Sequence, residues 1–515
     1  MVQKHALKKG VFLNMIHPLS TIREMGFQRG YNDTLPPEQL PPGYLADAQN
    51  CFIRTQEIVK RNGYSALGAD LALSAACQGL KGIRFANGTK ELIGVFNGSI
   101  YKYTGSGNFT LITSGSGVLS TSAQVDIVIA NNNMYFFDGS STVPKYDGTS
   151  ISTVAAIPIG TGARWFHNIL IVFGISATPN SVRLSDLGDP ENFSTGIATT
   201  IGINPNDGDY IVTAQEFNNE LLIFKSQHTH ALSGFGTTSL TVSNLVDRIP
   251  FGTLALKGAC NTGNEILYPS YRGDVPHIRS IKRSSFGTTI DGGIKSQDIE
   301  TTLKGINKSK INLCASLFDG RNAWFAFANE ANTTNNIVLV LDTVTNGWVR
   351  FTGIKASCFD AFVLGSTAQI FFGEAGATSK AYVVDSSTTD DGTAISFSIT
   401  TRRYGGTMPE LIKKWRYFTL NVKETGDYDL TVDFAVDGFT FGFLKTINLG
   451  GSGSVFDNII LDTSRLGGTD VKRQRESFTA LNTYYLQLKM YESATSSSVT
   501  LRDWEIMYFP RKVRH

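Results

Sequence analysis

Two histidines two residues apart, His228-Thr229-His230, are the first candidates for chemistry in this sequence of 515 residues. In a strand, positions i and i+2 share a face, so both imidazoles could meet one metal ion. No third ligand stands nearby, which leaves an ordinary polar strand face as the other reading. The run Asn204-Pro205-Asn206-Asp207-Gly208-Asp209 offers oxygen ligands around a glycine, loosely as a calcium loop does. A calcium loop ends on a bidentate Glu at its twelfth position, and that position here is Gln215. The expectation is a tight turn between strands, and residues 385–392 (DSSTTDDG) read the same way. No metal and no cofactor are expected.

The catalytic search is nearly empty. There is no G-x-S-x-G elbow, no dinucleotide-binding glycine run in a βαβ context, no Walker A lysine and no H-E-x-x-H. The sialidase Asp-box is approached only by Ser185-Asp186-Leu187-Gly188-Asp189-Pro190, which does not fit it. Carboxylates from distant strands could still converge for glycoside hydrolysis. The five cysteines, Cys51, Cys77, Cys260, Cys314 and Cys358, form no C-x-x-C pair. They read as buried free thiols of a protein folded in a reducing cytosol. The expectation is therefore not an enzyme.

The elements that would position these groups are strands. Glycine is high, at 51 residues, charged residues are only 17%, and formal net charge is +2. Low charge with many aromatics excludes generic disorder. A dedicated nucleic-acid grip needs a basic excess, and no region has one. No apolar stretch is long enough to span a bilayer, and the N-terminus lacks an uninterrupted apolar core for secretion. Short apolar runs recur near Leu92, Ile127, Ile169, Leu221, Ile266, Ala323 and Ile370, at a spacing of about 46 residues, close to the period of propeller repeats. A strand buried on both faces reads as such a run. The sequence is thus read as all-β, with a degenerate β-propeller of six or seven blades over 76–404. Asn87-Gly88, Asn97-Gly98, Asp138-Gly139, Asp147-Gly148, Asp319-Gly320 and Asn346-Gly347 are expected as type I′ turns. One short helix is expected near 44–52. Residues 1–75 read as an extended arm with the first strands. Residues 405–515 carry the alternating pattern of a β-sandwich, with strands over 415–422, 428–436, 484–490 and 499–509. Its stretch 450–454 (GGSGS) reads as a flexible loop.

Two segments have a familiar look. Residues 181–195 (SVRLSDLGDPENFST) precede Asn206-Asp207-Gly208-Asp209-Tyr210-Ile211 and then Leu221-Leu222-Ile223-Phe224-Lys225. This resembles the pattern of tail nozzle proteins, also called packaged-DNA stabilisation proteins, of short-tailed bacteriophages. The residues that carry it are Arg183, Ser185, Asp186, Gly188, Asp189, Pro190, Asp207, Gly208 and Asp209. Residues 40–63 (LPPGYLADAQNCFIRTQEIVKRNG) resemble the N-terminal stretch of the same family, with Thr55-Gln56-Glu57 replacing the usual glycine of its turn.

The resemblance implies a structural virion protein, assembled in the host cytoplasm and resident in the phage tail. It implies a hexameric ring below the portal and its adaptor, the head-tail connector protein. Such a ring lines a DNA channel, touches double-stranded DNA transiently and without sequence preference, helps retain the genome, and anchors a fibre, spike or needle protein. It does not enter a membrane. Near-neutral charge suits a wall past which DNA slides, since every phosphate contact adds grip. Phe12, Ile16, Phe27 and Tyr31 in the arm, and Arg511, Lys512 and Arg514 at the other end, are the candidate contacts with a subunit or partner. The arm equally suits stapling its own chain. The rival expectations are a phage receptor-binding adhesin and a β-propeller glycoside hydrolase.

Overall fold

The computed structural model describes residues 19–511, apart from 55–56, 235–240, 245–248, 272, 274, 286–287, 424, 427, 450–470, 479–480 and 496. Phe12, Ile16, Lys512, Arg514 and the 450–454 stretch lie outside the described residues.

Seven four-stranded antiparallel meanders follow one another along the chain, over 77–111, 126–153, 162–202, 211–244, 260–294, 315–352 and 356–387. The last takes its fourth strand, Gly63–Ala66, from the N-terminal side. The first strand of each meander packs against the first strand of the next, and Ala356–Phe362 packs against Cys77–Arg84. That closes a ring, so the chain is a seven-bladed β-propeller. Six blades are separate sheets. The sixth in order, 315–352, is the beginning of a nine-stranded sheet.

The seven apolar runs mark the blades. Six of them fall on second strands, such as Lys90–Phe96, Ile169–Phe173 and Asn322–Phe327, and the run from Ile127 covers the first two strands of its blade. A second strand is covered by neighbouring blades on both faces. All five residues of Ile169–Phe173 and all six of Asn322–Phe327 are buried accordingly.

The turns differ from expectation. Of the six predicted type I′ pairs, only Asn97-Gly98 has φ > 0 at both positions. The left-handed pairs instead include Asn131-Asn132, His167-Asn168 and Asn218-Asn219, each joining the first two strands of a blade. Asparagine tolerates this conformation through its short polar side chain, so no glycine is needed. In four of the other predicted pairs only the glycine is left-handed, and in Asn346-Gly347 only the asparagine is.

The second layer is a sandwich. One sheet continues from the sixth blade: Leu45–Gln49 pairs in parallel with Gly347–Thr352, and Phe397–Thr401, Leu486–Glu492, Asp429–Val436 and Gly442–Asn448 follow. The other sheet holds Cys51–Ile53, Ile58–Lys60, Thr500–Pro510, Lys413–Lys423 and Val471–Ser477, with Ser20–Met25 on Thr500–Pro510. Trp415, Leu420, Trp504, Leu430, Leu488 and Met490 are buried between the sheets. The N-terminal strands between Ser20 and Lys60 thus belong to the sandwich, and so does Phe397–Thr401, which lies inside the 76–404 span expected for the propeller.

The expected helix near 44–52 is absent. Leu45–Gln49 and Cys51–Ile53 are strands, broken at Asn50 with φ of 53°. Sheet partners on both sides outweigh a weak helical spacing. The single α-helix among the described residues is Glu300–Lys304.

Candidate functional site

At the propeller axis, side chains from six of the inner strands converge with Lys257. A cavity of about 360 Å³ lies there. The charged groups on it come from the inner strands, which the apolar runs do not reveal. Lys81, Asp126, Arg164 and Glu216 stand on the inner strands of the first four blades, and Lys257 precedes the fifth. Four of the five are held by a hydrogen bond or ion pair between blades. Arg164 donates to Asp126 Oδ2 at 2.7 Å and to Ala214 O at 2.8 Å, and so joins three consecutive blades. Lys81 Nζ lies 2.8 Å from Asp360 Oδ1 of the last blade. Lys257 Nζ reaches across the ring to donate to Gln78 O at 2.5 Å. Glu216 is exposed to the cavity, and burial raises its carboxyl above the ordinary value against the pull of Arg164. A signal existed in the sequence: the first strands of five blades carry a charge among mostly apolar or small neighbours, Lys81, Asp126, Arg164, Glu216 and Asp360.

One mouth of the axis widens into a second cavity of about 460 Å³. The loops leading into the inner strands build it, with Ile175, Tyr210, Leu254 and Leu313 on its wall. Tyr210 is half exposed there.

The family-like residues lie away from both cavities except at Tyr210's neighbours, and they work as clamps. The first group forms the turn between Ser181–Leu184 and Thr199–Gly202. Asp186 accepts from Leu187 N at 2.9 Å and Ile197 N at 3.0 Å, and Ser185 Oγ accepts from Leu170 N at 2.9 Å. Arg183 donates to Phe193 O at 3.0 Å. Asp189 Oδ1 accepts from Glu191 N, and Pro190 is buried beside it. Gly188, left-handed with φ of 76°, presents its carbonyl to Asn131 of the preceding blade. Glu191 completes the bridge by accepting from Tyr135 Oη at 2.8 Å and pairing with Lys145 at 2.7 Å.

The second group locks the third blade to the fourth. Both Asp207 oxygens lie 2.7 Å from Lys225 Nζ, and Lys225 is fully buried. Burial opposes the Asp207 charge, but Lys225 and the Asp209 amide hold its carboxyl below the usual range. Asp209 accepts from Ser226 Oγ, Gln227 N and His228 N, and meets His228 Nδ1 at 3.2 Å. Gly208 makes the turn between them with φ of 69°. His228 precedes the strand Thr229–Ser233 and His230 lies in it, and both rings meet this ionic cluster. His230 Nε2 is 3.9 Å from Asp207 Oδ2, and burial pushes its imidazole down to about 4. Among the described residues no three His, Cys, Asp or Glu side chains are placed to hold a metal ion.

The contact candidates fare differently. Phe27 stacks on Trp504 at 4.3 Å, and Tyr31 Oη donates to Thr302 at 3.2 Å. Both are 1% exposed, so their side chains are spent in the chain's own core and are unavailable to a neighbour. Their apolar character reported burial, which the sequence alone could not assign to one chain or another. Arg511 is exposed at the end of the last strand.

No family model matches the chain, and no curated protein matches it. Among solved structures it is similar to YCF48 bound to a D1 peptide, at 10% identity over 63% of this chain and 95% of that one, with a TM-score of 0.40. The Pan2 WD40 domain of Neurospora crassa matches at 9% identity over 65% and 96%, with a TM-score of 0.37. An exo-β-1,3-galactanase of Phanerochaete chrysosporium matches at 13% identity over 87% and 100%, with a TM-score of 0.27. At such identities the likeness is one of fold, and no activity or partner passes to this chain.

Proposed function

We propose that this chain is a structural protein of a bacteriophage particle, a subunit of the ring that forms the tail nozzle. The observation that carries the reading is the use made of the family-like residues. Every polar group among Ser185, Asp186, Asp207 and Asp209 is consumed in holding turns and blades together. A sequence pattern whose polar atoms are spent on architecture belongs to a part that must be rigid.

The DNA channel of this reading is the axis of a six-fold ring of subunits. It is not the propeller axis, because a cavity of about 360 Å³ crossed by Lys257 has no room for a duplex. Each subunit in such a ring meets the next through two different surfaces. Phe439 and Phe443, 72% and 65% exposed at the tip of the sandwich, are assigned to that contact in place of Phe27 and Tyr31. The adaptor, the fibre or spike protein and the packaged DNA are the partners of the assembled ring. Phe439→Asp with Phe443→Asp is expected to leave the melting temperature of the subunit within a degree or so while abolishing rings, read by mass photometry and calorimetry. Intact rings in the double variant would remove this contact from the account.

The axial carboxylates favour a second reading, a propeller glycoside hydrolase, through the raised Glu216, which lines the same cavity as Asp126. The separating assay is release of reducing sugar from bacterial surface polysaccharide. Release by the purified chain that is lost in Glu216→Gln would replace the structural reading; no release in either is the expected result.

A further inference from the structure

The ring of inner strands closes where the last blade meets the first. Asp360 accepts there from Lys81 Nζ at 2.8 Å and from Gly82 N at 2.7 Å, and Ser357 Oγ donates to Cys77 O at 2.5 Å. Beside these bonds two thiols meet. Cys77 Sγ and Cys358 Sγ are 3.8 Å apart, although 281 positions separate them along the chain. Both residues are buried, yet neither is sealed off. Cys358 lines the axial cavity, and Cys77 lines a cavity of about 160 Å³ on the loop face. Gly373 leaves the space in which the sulfurs sit, since a Cβ there would stand 2.5 Å from Cys77 Sγ and 2.8 Å from Cys358 Sγ.

The two sulfurs are unequal. Contact with Cys77 holds the Cys358 thiol below its ordinary value against the opposing effect of burial, and Lys257 adds to this. Burial pushes the Cys77 thiol up. The thiolate is the attacking form, and the attack is assigned to Cys358, which lines the larger axial cavity together with Lys257, with Cys77 as the resolving partner.

We propose that Cys77 and Cys358 form a reversible disulfide that clasps the first blade to the last. With a peroxide as oxidant, the Cys358 thiolate takes one oxygen to give a sulfenic acid, and the other oxygen leaves as water. Cys77 sulfur then attacks the sulfenic sulfur, its proton goes to the departing oxygen, and a second water leaves. Two thiols and one hydrogen peroxide thus become one disulfide and two waters. The sulfurs must close from contact to about 2.05 Å, which side-chain rotation supplies. The bond ties together nearly the whole propeller, so unfolding of the oxidised form must proceed with the ring still joined. The inference does not depend on the phage reading.

The test uses the full-length protein, treated with hydrogen peroxide or kept in dithiothreitol. The expected result is an intact mass lower by two hydrogens and a peptide joining positions 77 and 358 in a non-reducing digest. The thermal midpoint is expected to rise by about 5 °C, and dithiothreitol reverses all three changes. Cys358→Ser loses the joined peptide, and Cys51→Ala keeps it. The wild-type mass and digest decide the matter even where a serine variant fails to fold. Peroxide-treated, folded protein in which Cys358 ends as a sulfinic or sulfonic acid, or stays a thiol with no joined peptide, overturns the proposal.

Discussion

Burial holds the His230 imidazole uncharged, with its pKa pushed down to about 4, while an unfolded chain leaves histidine near its ordinary value of about 6.5. Between those two values the unfolded state takes up a proton that the folded state refuses. Stability therefore falls as pH drops through that window, by up to about 3 kcal/mol from this group. His230→Leu is expected to remove that part of the slope in urea titrations at pH 7 and pH 4.5. An unchanged difference between the two pH values would place the effect elsewhere. A second buried group spans the sandwich: Lys60 Nζ lies 2.6 Å from Glu492 Oε2, and both side chains are 1% exposed. Lys60→Met strands the Glu492 charge and is expected to cost about 3–5 kcal/mol in chemical denaturation. The double variant Lys60→Met with Glu492→Leu should recover much of that loss. Neither pair was legible in the sequence, because Lys60 and Glu492 meet only when two distant strands pack. The His228-Thr229-His230 spacing was legible, but not that its rings meet Asp209 and Asp207.

At the scale of elements, the apolar runs located the blades because a second strand has no wet face. Turn chemistry was less legible. Asn131-Asn132, His167-Asn168 and Asn218-Asn219 carry left-handed backbone without glycine, whereas Gly347 follows left-handed Asn346 without being left-handed itself. The 44–52 segment misled for a different reason. Its strand state is imposed by Phe397–Thr401 and Gly347–Thr352, hundreds of positions away. Closure of the last blade by Gly63–Ala66 was equally invisible, although Gly63 is its signature. A Cβ at Gly63 would stand 1.9 Å from the carbonyl oxygen of Thr389, which is backbone and cannot turn aside. Gly63→Ala is expected to destabilise by about 1–3 kcal/mol, as overpacking against an unyielding backbone does. Protease digestion should then cut first between the arm and the propeller. A variant as stable as the parent would show that this strand does not close the blade.

For the molecule as a whole, propeller and sandwich are continuous, since the sixth blade and the sandwich share one nine-stranded sheet. Arg61 adds to this joint. It donates to Asp390 of the last blade, to Thr352 O of the sixth and to Asn50 Oδ1 beside the sandwich strands. A shared sheet leaves no flexible linker at the junction, which suits the proposed role in the wall of a tail conduit. The near-neutral charge of +2 fits the same part, because it offers DNA little to hold. The most direct measurement of this account is negative-stain electron microscopy of the purified full-length chain, 56.0 kDa per subunit. The account predicts closed rings of six subunits around an open axial channel wider than a DNA duplex. A monodisperse monomer, or a trimer that binds bacterial polysaccharide, would contradict it.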